Sequence, residues 1–250
     1  MRYFLHLSYN GKNFNGWQRQ PSAPSVQQAV EKALSTLLGT PTEVTGAGRT
    51  DTGVHAKYYV AHFDAPRPIA ERDDFLYHLN ALTGPDIAVF GLRAVRDDAH
   101  ARFDAVSREY TYHIIPEKNP FRRDTSWQYY VPLDCEAMNR AAEVLPLHED
   151  FTSFAKLNSG NKTNICHVAD ARWSRRADGE MIFEIRSDRF LRNMIRALVG
   201  TMVDVGRGKI TAERFEQILL SRDLSLSSAS APACGLFLTD VRYPDEIYKD

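Results

Sequence analysis

The chain of 250 residues predicts an α+β fold made of two βαββαβ units with antiparallel sheets. Three observations carry that expectation. The N-terminus alternates apolar and polar residues with the period of a strand, residues 26–38 follow the helical period between recognisable caps, and the second half shows strands and helices in a similar order. An apolar content of 43% allows a sizeable core without disulfide staples.

The elements follow in order. Residues 2 to 9 read as a strand; they lack the continuous apolar run of a signal segment. Ser25 opens a helix as N-cap with Gln28 completing a capping box, Gly39 closes it, and Val26, Val30, Ala33, Leu34, Leu37 and Leu38 form its apolar face. Strands are expected near Thr42 to Gly46 and from His55 to Phe63, with a glycine-rich loop between them. A helix from about Glu71 to Leu82 presents Phe75, Leu76, Leu79 and Leu82, and Gly84-Pro85 ends it before a strand at Ile87 to Val95. This is the split-βαβ, ferredoxin-like or RRM-like plan.

In the second half, strands are expected at Arg108 to Ile115, Trp127 to Val131, Ile165 to Trp173 and Met181 to Arg186, the last two joined through Ala177-Asp178-Gly179. Helices are expected at Cys135 to Val144, Phe190 to Val205 and Thr211 to Leu220, before a final strand at Leu236 to Arg242. The duplication is architectural, without a sequence repeat. Two domains, residues 1–105 and 106–250, are therefore expected to join across a central cleft, and the polar stretch Lys156 to Asn164 reads as a mobile loop.

Composition excludes several classes of function. Cys135, Cys166 and Cys234 are odd in number and have no C-x-x-C spacing, which fits a reduced, cytoplasmic protein. The eight histidines lack H-E-x-x-H or H-x₃₋₅-H spacing, so no metal is expected, and no G-x-S-x-G elbow marks a serine nucleophile. No apolar stretch reaches membrane-spanning length. A net charge of −1 counts mildly against nucleic-acid binding, yet Arg186, Arg189, Arg192, Arg196, Arg207 and Lys209 lie close in sequence with only Asp188 and Asp204 opposing them.

Three motifs offer chemistry, each beside a plainer reading. In Gly48-Arg-Thr-Asp-Thr-Gly53, glycines permit close backbone approach while Arg49 and Asp51 carry opposite charges; a hairpin turn with a local ion pair fits as well. The loop lacks the third glycine and the following helix of a dinucleotide site, and Gly206-Arg-Gly-Lys209 fails as a phosphate loop. Arg108, Tyr110 and Tyr112 share one face of a strand, for core packing or for stacking on a base. Arg192 and Arg196 stand four apart on one helix; Arg196, bracketed by Ile195, Leu198 and Val199, is either solvated or aimed at a carboxylate.

With these motifs in sequence, the chain resembles the bacterial tRNA pseudouridine synthases that act in the anticodon arm. The resemblance runs through Gly16-Trp-Gln-Arg-Gln20, Gly48-Arg-Thr-Asp-Thr-Gly-Val-His-Ala56, His100-Ala-Arg-Phe103, Ser107-Arg-Glu-Tyr-Thr-Tyr112, Asp150-Phe-Thr-Ser-Phe154, the Phe190 to Gly200 stretch and Ala231-Pro-Ala-Cys-Gly-Leu236. It departs at Thr52, where the family more often has Ala, and in the Lys156 to Asn164 stretch. The resemblance implies that Asp51 is the catalytic carboxylate, that Arg49 helps extrude or replace the target nucleotide and that Tyr110 packs against the target base. It further implies that Arg196 pairs with Asp51, that Leu236 shapes the base pocket, that no cofactor is needed, and that a homodimer binds tRNA.

Two other classes compete. A non-catalytic protein of two RRM-like units would carry a basic-Gly-aromatic run on its third strand, which both His55 to Phe63 and Met181 to Arg186 lack. An RNA glycosidase would cleave the N1–C1′ glycosidic bond, as a pseudouridine synthase does, but release the base.

Overall fold

The computed structural model describes residues 1–156, 160 and 162–249. The expectation of a mobile loop from Lys156 to Asn164 falls in part on residues 157–159 and 161, outside the described residues. The chain has the expected α+β class, with strands paired mostly antiparallel and, among the described residues, five α-helices. It divides into two compact units, Met1–Ser107 with Leu238–Asp250, and Arg108–Phe237.

In the first unit, β1 (Arg2–Tyr9) is central, antiparallel to both β3 (His55–Asp64) and β4 (Ile87–Ala94). The expected strand at Thr42 to Gly46 shrinks to β2 (Thr45–Gly46), because the chain before it hydrogen-bonds elsewhere: Thr42 N to Ser35 Oγ, and Val44 N to Glu31 Oε1. Helix α1 (Val26–Leu38) has the expected ends. Ser25 Oγ accepts from Gln28 N, and Gly39 takes the left-handed conformation at φ 67°, where a side chain would be strained. Val26, Val30, Ala33 and Leu34 are buried, each worth roughly 1–3 kcal/mol of apolar transfer.

Helix α2 (Arg72–Thr83) differs from expectation. It buries only Leu79 and Thr83 and leaves Leu82 exposed, since a polar sequence gives it one line of inward contact and no wide stripe. The chain's last residues return to this unit: residues 238–242 lie beside β3, Tyr243 OH donates to Ala101 O at 2.6 Å, and the Arg93 guanidinium lies 3.5 Å over the Tyr248 ring.

In the second unit, β5 (Ser107–Ile115) pairs antiparallel with β8 (Met181–Ser187), which pairs antiparallel with β7 (Val168–Arg175). The expected strand at Trp127 to Val131 is the two-residue β6 (Trp127–Gln128), parallel to β5. Strand β7 begins three residues later than expected. Asn139 on α3 (Cys135–Ala142) exchanges two hydrogen bonds with the Trp173 backbone, fixing that helix to the sheet.

Helix α4 (Met194–Gly206) starts four residues later than its apolar period predicts. Asn193 at φ 66° breaks the helical path and its side chain donates to Ser230 Oγ, so Arg192 lies outside the helix and forms no i,i+4 row with Arg196. Nearly every residue of α4 is buried except Arg196 and Asp204, which makes it the central helix of this unit. Helix α5 (Ala212–Ser221) is capped by Thr211, and the last strand, β9 (Leu236–Arg242), has the expected bounds.

Candidate active site

In the first unit, the loop 48–53 is held from several sides. Tyr59 OH donates to Gly48 O, Ala47 N donates to Val60 O, and Gly53 N donates to Phe14 O. Thr50 is the inner clamp: its Oγ1 accepts from Trp17 N at 3.1 Å and lies 2.9 Å from Tyr9 OH. The Trp17 and Tyr59 rings stack at 4.1 Å beneath, against Gly46, where any Cβ would collide with both. Gly16, at φ 80°, passes too close to Thr50 O to carry a side chain.

The result is a tight turn closed by Val54 N donating to Asp51 O at 3.1 Å, with Asp51 half-buried and Arg49 and Thr52 exposed. Arg49 and Arg102 line one cavity of about 100 Å³ with Trp17, Gln18, Gln27 and Gly48. Behind it, Gln27 receives Gln18 Nε2 and Arg19 N and donates to Glu31 and to Val44 O, a satisfied buried network that fixes residues 17–19.

In the second unit, Tyr112 and Tyr110 part company. Tyr112 is fully buried, its OH donates to Pro232 O at 2.7 Å, and burial raises its pKa, so it is a core residue. Tyr110 is half-buried, with its ring edge-on to Phe190 at 5.2 Å. Arg108 Nη1 donates to Asp188 O. Arg196 Nε donates to Ala231 O at 2.7 Å while Ala231 N donates to Arg196 O, so the stretch leading to the buried Leu236 is tied to α4 at both groups.

Gly200 lets Ala229 O approach where any Cβ would clash, and Gly235 packs on the Tyr112 ring. Sequence reading did not single out Thr50, Tyr59, Gly200 or Gly235; the glycines within otherwise apolar runs were the available signal. The expected basic cluster is diluted in place, since Asp204 pairs with Lys209 at 3.0 Å and with Arg207 at 3.7 Å.

The three thiols lie where burial disfavours the thiolate. Burial pushes the Cys166 thiol up to about 12 and raises Cys135 and Cys234 as well, leaving little thiolate near neutrality. Among the described residues, no group of three or more His, Cys, Asp or Glu is placed to hold a metal ion.

The turn sets one half-buried carboxylate, Asp51, beside the exposed Arg49 in an α+β chain, and comparison with known proteins gives the class. A family described as tRNA pseudouridine synthase matches residues 147–244. Proteins named tRNA pseudouridine synthase A match essentially end to end. That of Bacteroides thetaiotaomicron is 48% identical over 251 residues, covering 100% of this chain and 93% of its own; that of Parabacteroides distasonis is 48% identical, covering 99% and 98%. A more distant relative from Maricaulis maris is 40% identical, covering 97% and 98%. The chain belongs to the tRNA pseudouridine synthase A family. A solved structure described as a Cbf5-Nop10-Gar1 complex covers 94% of this chain and 57% of its own at 11% identity, with a TM-score of 0.33 too low to argue from.

Proposed function

We propose that this protein isomerises uridine to pseudouridine at positions 38–40 in the anticodon arm of tRNA, with Asp51 as its catalytic carboxylate. The supporting observation is family membership along the whole chain together with the turn that holds Asp51: Thr50 and Gly53, on either side of it, are hydrogen-bonded to the 14–17 segment. A carboxylate set in a rigid turn is pre-aimed, which favours reaction over reorganisation.

The reaction breaks the N1–C1′ glycosidic bond, turns the uracil and joins its C5 to C1′. It is atom-balanced within the substrate, so no redox or group-transfer cofactor enters. A carboxylate serves it as nucleophile or as base, as in glycosidic cleavage. The target must first leave its stack, at a cost of roughly a few kcal/mol. Arg49, exposed beside Asp51, is suited to enter the space vacated by the nucleotide, and the half-exposed Tyr110 ring to pack on the base. Arg196 would pair with Asp51, its guanidinium plane oriented by the bond to Ala231, and Leu236 would bound the uracil pocket.

The remaining readings are also proposals. The pairing of β1 with β3 and β4 and of β3 with β2 supports a ferredoxin-like reading of the first unit, and β5-β8-β7 supports the same reading of the second; the expected domains 1–105 and 106–250 go with it, save that residues 238–250 group with the first unit. A homodimer in the cytoplasm, gathering basic surface from two chains of net charge −1, suits a tRNA substrate.

The test is to incubate unmodified tRNA with the protein and follow it by mass spectrometry. Constant mass with a carbon-linked base at 38–40 supports the proposal. Loss of uracil would mean glycosidase action, and an unchanged nucleoside would mean binding alone.

A further inference from the structure

The turn His100–Phe103 presents an aromatic ring to solvent in a manner that packing does not require. Phe103 is 74% exposed. A single exposed Phe is ordinary on a protein surface. What distinguishes this one is how firmly it is held out. His100 N donates to Asp104 Oδ2 at 2.7 Å, and His100 Nδ1 accepts from both Arg102 N and Phe103 N. Ala101, fully buried, is pinned by donating to His62 Nδ1 and accepting from Tyr243 OH. The His100 ring lies 4.3 Å from the Phe103 ring, and the Arg102 guanidinium carbon sits 5.7 Å from its centroid. Arg102 also lines the cavity that Arg49 lines, so the platform adjoins the carboxylate loop.

An exposed aromatic face, rigid on its anchor and flanked by a guanidinium, is the combination that holds an unstacked base and its phosphate. We propose that Phe103 is a stacking platform for one base of the bound RNA, with Arg102 contacting the adjoining phosphate. This rests on the proposed action on tRNA and adds a contact to it. A ring held on a prearranged turn loses little freedom on binding, so the stack adds affinity at low entropic cost.

The experiment measures affinity for unmodified tRNA across a salt series for the parent, Phe103→Ala, Phe103→Trp and Arg102→Ala, with circular dichroism as a folding control. Phe103→Ala should weaken binding roughly 5- to 100-fold without changing the salt slope, and Phe103→Trp should restore it. Arg102→Ala should weaken binding and reduce the salt slope by about one. Parent-like affinity in Phe103→Ala overturns the proposal, as does a tryptophan that binds no better than alanine. A parent that modifies tRNA while Phe103→Ala binds normally leaves the enzymatic reading standing and sinks only the platform; a parent that neither binds nor modifies tRNA sinks both.

Discussion

At the scale of single residues, Thr50, next to Asp51 in the chain, ties the turn to Trp17 and Tyr9. Its hydroxyl is the acceptor for Trp17 N and the partner of Tyr9 OH, and valine would keep the shape while leaving that N–H unpaired. Thr50→Val should cost about 1–3 kcal/mol of stability and lower turnover more than tRNA affinity, read from urea melts and from single-turnover modification beside binding. Arg196→Lys tests the other side of the proposed site. Lysine cannot reproduce the planar fork or the Nε bond to Ala231, so turnover should fall roughly 10- to 100-fold at unchanged affinity; near-parent rates would remove Arg196 from the proposal.

At the scale of elements, the β1–β3 pair carries three buried imidazoles, His6, His55 and His62, and two of them are displaced in their titration. Burial, with Arg93 nearby, lowers His6 to about 4; burial, with Arg2 and His100 nearby, lowers His62 to about 4. The unfolded chain therefore binds protons near pH 6.5 that the native sheet refuses until about 4. Stability should be full above that upper value and fall as pH drops through the window, by about 2 kcal/mol at pH 5 for His6 and by a smaller amount for the more solvent-screened His62. Urea melts at pH 7 and 5 check this, and His6→Gln should remove the larger part of the difference.

Which elements the sequence made legible follows from where their signals reside. Helix α1 was legible at both ends because Ser25 and Gly39 act through local backbone geometry. The start of α4 was not, because Asn193 breaks an unbroken apolar period through a bond to Ser230, 37 residues away. Likewise Asp51, Arg49 and Tyr110 stood out by motif, whereas Thr50 and Gly200 matter only through partners brought close by folding.

At the scale of the whole molecule, a near-neutral chain must bind a polyanion. Arg207 and Lys209 are already engaged by Asp204, so they offer less positive charge than their sequence clustering suggests. Pairing two chains is a direct way to extend the basic surface, and light scattering at working concentration should give twice the 28.4 kDa chain mass; a monomer would contradict the dimer.

In the proposed reaction, Asp51 performs the chemistry and contributes little to holding the RNA. Affinity should come from many arginine and lysine contacts to phosphate, so one carboxylate can be removed at little loss. Neither Thr50 nor Thr52 is an adequate replacement nucleophile without an adjacent base. The most direct measurement is pseudouridine formation and tRNA binding by Asp51→Ala on the same unmodified tRNA, with circular dichroism to confirm folding. Asp51→Ala should form no detectable pseudouridine while its affinity stays within a few-fold of the parent. Parent-rate modification by the folded variant would contradict it, and loss of binding would make the loop chiefly an RNA contact.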